Sequence, residues 1–143
     1  MKLNKVQILF PLFAFIFSCV SNEKRMEMVK LSQYMVEGMT LYRNNCANCH
    51  GIDGKGLARV IPPLKNADYL LTMTDDLLAC QIKNGLSDSI TVNGDLYFQP
   101  MPGIKKLTAL EAAELVTYVN NTWGKESGLY GVKKAEKALL QCY

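Results

Sequence analysis

Residues 6–18 form an uncharged, largely apolar run preceded by Lys2 and Lys5. A basic start followed by a short apolar stretch is the layout of an export signal. Thirteen residues in a helix cover roughly 20 Å, short of the roughly 30 Å hydrocarbon core, so a permanent membrane span is the weaker reading. The next stretch, SNEKRMEMVK at residues 21–30, is polar and without a clear period, which predicts a flexible tether over 19–30. Fully stretched, ten such residues reach roughly 35 Å. Apolar positions then recur at helical spacing and predict a first helix over residues 31–47, with Gly38, Tyr42 and Cys46 on one stripe. A mid-helix Gly costs up to about 1 kcal/mol against Ala, so Gly38 implies close approach of another helix.

Thr72 or Thr74, with Asp75 and Asp76, opens a helix that ends near Asn84-Gly85. Residues 90–98 alternate around Asn93-Gly94, a strong hairpin signal. Thr108-Ala109-Leu110-Glu111 reads as a capping box; Leu115, Tyr118 and Val119 then share one face, and Gly124 ends the helix. A tail over 125–143 carries a further short helical pattern at 132–140. The expected fold is all-α with one small hairpin.

At 143 residues, 49% apolar and 20% charged, the chain suits one globular domain and is too apolar for a disordered tail. Removing residues 1–18 takes Lys2 and Lys5 and no acid, lowering the net charge from +3 to +1. That is too weak for a protein that coats nucleic acid. A single His excludes multi-histidine zinc sites. Five cysteines, at 19, 46, 49, 80 and 142, suit an oxidising compartment. Ile16-Phe17-Ser18-Cys19 resembles a bacterial lipoprotein box. That resemblance implies lipidation of Cys19 and a membrane anchor; the alternative is a soluble product cleaved nearby.

Cys46-Ala47-Asn48-Cys49-His50 is a C-x-x-C-H sequence, the pattern of covalent haem attachment. On a helix the two thiols lie on one face and can each bond one vinyl group of the same porphyrin. His50 follows as the proximal iron ligand. A thioredoxin-like pair expects a strand before the motif, where this chain is helical. A four-cysteine zinc site needs a second close pair, and Cys80 and Cys142 lie far apart.

From about Met35 to Gly124 the sequence resembles a class I (monohaem) c-type cytochrome. The resemblance implies short helices around one covalent haem c, in a domain over 31–124, with the first helix crossing the last. Met73 and Met101 remain as distal candidates once the methionines of the signal, the tether and the attachment helix are set aside. Met101 lies in the stiff Gln99-Pro100-Met101-Pro102-Gly103 segment, and the family places its Met iron ligand in such a Met-Pro setting. Met73 reads as packing. The resemblance also assigns to Pro62 the carbonyl that accepts the proximal His Nδ1–H, and to Leu64 haem packing. Tyr97 either donates to a haem propionate or packs. Trp123 packs at the end of the last helix.

Cys80 and Cys142 are expected to pair as a disulfide pinning the tail, the alternative being two buried thiols. Lysines 55, 65, 83, 105 and 106, with Arg59, are expected around the exposed haem edge, as docking groups or as plain solvated surface. With both axial positions of the iron filled, the expected role is electron transfer rather than catalysis. The protein is read as a monomeric, lipid-anchored periplasmic carrier between a quinol-oxidising complex and a terminal oxidase or reductase. The alternatives are an electron-entry subunit of a larger oxidoreductase and a haem ligand sensor.

Overall fold

In a computed structural model, which describes residues 5–142 with side chains from residue 22 onward, one helix dominates the N-terminal part. Cys19 and its neighbouring box lie outside the residues whose side chains are described. Helix α1 (Lys5–Asn45) runs unbroken through the stretch that the sequence reading made a loose tether. The physical reason is compositional: Glu23, Lys24, Arg25, Met26, Glu27 and Met28 are good helix formers. No Gly or Pro interrupts residues 12–37, so a helix nucleated by the packed part extends at little cost. Ten helical residues rise about 15 Å, less than half the stretched reach.

The helix breaks one residue before the expected end of its packed part. Cys46 is stretched to φ −119° at the edge of the helical region, and its N–H still bonds the Tyr42 carbonyl at 2.8 Å. A separate single turn, α2 (Ala47–His50), then carries the rest of the motif.

Helix α5 (Ala109–Trp123) crosses α1 and supplies much of the core through Ala112, Ala113, Leu115, Val116 and Val119. Its start is the capping box: the Glu111 N–H donates to Thr108 Oγ1 at 3.3 Å, and the Thr108 N–H to Glu111 Oε2 at 2.8 Å. A Cβ on Gly38 would sit against the Glu114 carbonyl and 2.6 Å from Tyr118 Cβ, so glycine is what lets the two helices touch. Next to this crossing the fully buried Tyr42 stacks on Trp123 and Tyr118, ring centroids 4.9 and 5.6 Å away.

Between these helices lies the cavity wall. The short α3 (Asp68–Thr72) precedes α4 (Asp75–Asn84), whose N-cap Thr74 accepts the Leu77 N–H at 3.2 Å. Five residues carry too little pattern to show a helix, so α3 was not foreseen. Strand β1 (Gly85–Leu86) leaves α4 and pairs antiparallel with β4 (Met101–Pro102), in register Gly85 to Pro102 and Leu86 to Met101. The hairpin of β2 (Ile90–Val92) and β3 (Asp95–Tyr97) turns through Asn93 and Gly94, both at positive φ. Helix α6 (Val132–Gln141) packs Ala135 and Ala138 against α4 and α5, and Cys142 is disulfide-bonded to Cys80. Among the described residues no helix is long and apolar enough to cross a membrane.

Candidate functional site

A cavity of about 1060 Å³, its mouth included, opens among α2, the 61–64 segment, α4 and the strand pairs. Its wall is almost wholly apolar. Cys46, Cys49, His50 and Met101 all border it. So do Pro62, Leu64 and Tyr97, and so does Met73.

One side of the cavity is built by the loop after α2. Gly51 and Gly56 take positive φ, and a Cβ on Gly56 would collide with the Ile61 and Pro62 backbone. The Gly56 N–H bonds the His50 carbonyl at 2.8 Å, and Gly54 O accepts from the Leu64 and Lys65 N–H groups at 2.8 and 2.9 Å. The Tyr42 hydroxyl donates to Gly51 O at 2.6 Å. Folded back in this way, the loop sets Pro62 O 3.1 Å from His50 Nδ1.

Burial lowers the His50 pKa, and the Pro62 hydrogen bond opposes that only in part. The ring is therefore neutral at pH 7. A neutral ring beside a carbonyl must present its N–H there, which leaves Nε2 as the lone-pair nitrogen. Burial, with a smaller contribution from Cys49, pushes the Cys46 thiol up to about 11. The motif follows helix α1, where a thioredoxin-like pair expects a strand. Among the described residues no group of three or more His, Cys, Asp or Glu side chains could hold a metal ion by itself.

Met101 also borders the cavity and lies on β4, held by its pairing with β1. A Cβ on Gly103 would collide with the Asn84 and Gly85 backbone, so the loop passes tightly over the end of α4. The Ile104 N–H bonds Ile82 O at 2.9 Å. Lys83 Nζ donates to the Lys105 and Leu107 carbonyls at 2.7 and 2.8 Å, and Lys105 Nζ to Asn84 O at 3.2 Å.

These bonds engage two of the six cations expected around the haem edge, Lys83 and Lys105. Lys105 reaches the last carbonyl of α4, the negative end of that helix's dipole, and Lys83 reaches two carbonyls of the segment just before α5. Lys55 pairs with Asp53 at 2.6 Å in solvent, and no Lys or Arg borders the cavity. Met73 is buried in the core, and Trp123 packs on Tyr42 away from the cavity.

Sequence reading missed the α4 wall. Leu78, Gln81 and Ile82 share one face of α4 and border the cavity, and Gln81 Nε2 donates to the Tyr69 hydroxyl at 2.7 Å. The signal was present as i, i+3, i+4 spacing, with Gln81 as the polar exception in the stripe.

Short helices around an apolar cleft edged by two thiols, a neutral imidazole and a thioether define a haem protein. Comparison with known proteins gives the class its name. The cytochrome c family model, described as "Cytochrome c", matches residues 35–123, and the chain belongs to that family. It is 34% identical over 95 residues to the protein named "Alcohol dehydrogenase (quinone), cytochrome c subunit" of Gluconacetobacter polyoxogenes, covering 64% of this chain and 20% of that one. The same figures hold for the protein of that name from Komagataeibacter europaeus. For the one from Gluconobacter oxydans (strain 621H) identity is 33% over 91 residues, covering 63% and 19%. The chain thus spans about a fifth of the length of these relatives.

The cofactor is haem c and the protein transfers electrons. The residues present fit that group. Its thiols stand three residues apart at one short turn, its imidazole is fixed through the second nitrogen, and the walls are apolar.

Proposed function

We propose that Cys46 and Cys49 bind the haem covalently, that His50 ligates the iron on one face, and that Met101 ligates it on the other. When bound, haem c supplies a one-electron couple. The chain's own residues decide how it is used. Pro62 O fixes the imidazole's orientation and raises its basicity. The β1–β4 pairing holds Met101 with little freedom to leave. Leu64, Tyr97 and the α4 wall keep water out, and a dry, doubly ligated site favours electron transfer with little rearrangement. The observation that carries this reading is the placement of a neutral, carbonyl-anchored His50 and a strand-held Met101 on one apolar cavity.

We infer further that the chain is an exported bacterial electron carrier anchored through Cys19, passing electrons between respiratory complexes. Helical residues 22–30 would act as a stiff stalk about 15 Å long rather than a loose tether. A second reading is favoured by the relatives' names: a subunit of a larger oxidoreductase, such as a quinone-linked dehydrogenase. Mild-detergent purification separates the two. A dehydrogenase chain that co-elutes with the haem at fixed stoichiometry supports the subunit reading, and haem eluting alone supports the carrier. The axial assignment is tested by Met101→Ala. The variant loses the thioether-to-iron band at the red end of the oxidised spectrum and binds CO rapidly when reduced. A retained band would overturn the assignment.

A further inference from the structure

The family match ends at residue 123, yet the chain continues into a segment that grips α4 from its start to Cys80. Lys125 Nζ donates to Met73 O just ahead of α4. The buried Tyr130 donates its hydroxyl to Asp76 Oδ1 at 2.8 Å, and Lys134 Nζ lies 3.5 Å from Asp75 Oδ2. Midway along α4 the Cys80–Cys142 disulfide closes the grip. Cys80 is two residues from Leu78 and from Ile82, about 200° around the helix, so it sits opposite the face that walls the cavity. The end of α4 feeds directly into β1, which holds Met101.

This outer segment holds itself in place poorly. Helix α6 has ten residues, no side-chain N-cap and only Ala135 and Ala138 buried, while Leu140 is 83% exposed. So short a helix does not persist alone in water. Beyond the buried Tyr130 the bridge is the covalent hold on its end, and both cysteines of the bridge are only half-buried.

We propose that residues 125–142 are a detachable brace for the Met101 side of the cavity, released by dithiol reduction of Cys80–Cys142. Released, the brace lets α4 and β1 loosen, Met101 yields its place, and the site admits a small neutral ligand such as CO. The step balances: a dithiol of the thioredoxin type delivers two electrons and two protons, the S–S bond breaks, two thiols form, and the donor leaves as its own disulfide. The proposal rests on Met101 being the distal ligand.

The test uses the full-length haem protein. Ascorbate reduces the iron in one sample; a second also receives a dithiol, with cleavage of the bridge checked by thiol alkylation. CO association is followed by absorbance and backbone exchange by mass spectrometry. Cleavage is expected to speed CO association at least tenfold and to raise exchange in both α6 and α4. The Cys80→Ser/Cys142→Ser double variant should do the same without dithiol and show a weakened thioether–iron band when oxidised. If that variant yields no haem protein, the dithiol-treated native protein decides alone. CO association within twofold of the untreated protein, with the bridge shown open, overturns the brace. Met101→Ala is the separate control. If it binds CO no faster than the intact protein, the axial assignment falls and the brace with it.

Discussion

Gly38→Ala isolates the contact that sets the fold's helix crossing. By intrinsic preference alone the change should stabilise α1 by up to about 1 kcal/mol, since Gly is the poorer helix residue. The structure says otherwise. The added methyl would sit on the Glu114 carbonyl and 2.6 Å from Tyr118 Cβ. Glu114 O belongs to the interior of α5, where a carbonyl is tied to the N–H four residues on and cannot turn aside. The helices must therefore separate, and overpacking of this kind costs about 1–3 kcal/mol. The net expectation is a loss of about 1–2 kcal/mol, or a melting midpoint lower by roughly 4–8 °C for a domain of this size. Tyr42 rides on the same stripe and should loosen with it. Thermal denaturation of the haem protein followed by circular dichroism measures the effect, with Ser32→Ala on the exposed face of α1 as the propensity control. A midpoint raised as much in Gly38→Ala as in the control would refute the close-crossing argument.

Thr108→Ala should cost about 1 kcal/mol by removing the N-cap. The Thr108 N–H and hydroxyl hold the Glu111 carboxyl below its usual range. That contribution is present above the ordinary Glu pKa and is lost as pH falls through the lowered one, so the variant's acid limb should be flatter in a pH series of denaturant midpoints. Glu114→Gln should gain about 0.5 kcal/mol at pH 7. Burial first, then Glu37 and Glu111, raise the Glu114 pKa, so its ionised form weakens the fold at neutral pH and the deficit disappears as pH falls through the raised value. Met73→Ala should cost about 2–5 kcal/mol in guanidinium titration, as a buried Met does, yet keep the red thioether band in the oxidised spectrum.

Much of the fold was legible because local signals agreed with tertiary demand. The Thr108–Glu111 box, the Asn93-Gly94 turn and the four-residue spacing of Gly38 and Tyr42 each act over a few residues, and the structure uses all three. What stayed hidden was non-local. Nothing around residue 46, neither Gly nor Pro, announces that α1 breaks there. Residues 22–30 lack an amphipathic period because no face of them is buried, and helix propensity alone carries them. The β1–β4 pair is two residues long on each side and is specified by contact with the end of α4, not by alternation. Lys83 and Lys105 look like solvated charges in the sequence and prove to be clasps on backbone carbonyls, a role only the folded chain reveals. The attachment motif was the easiest part to read, since thiol, thiol and imidazole must be adjacent in sequence to meet one flat cofactor.

The most direct test of the account is the alkaline pyridine spectrum of the exported protein, taken with its mass under denaturing conditions. The account predicts a reduced spectrum of a haem with both vinyl groups converted to thioethers, and one haem retained on the peptide holding Cys46 and Cys49. A colourless chain, a haem released by acid, or an adduct on any other cysteine would contradict it.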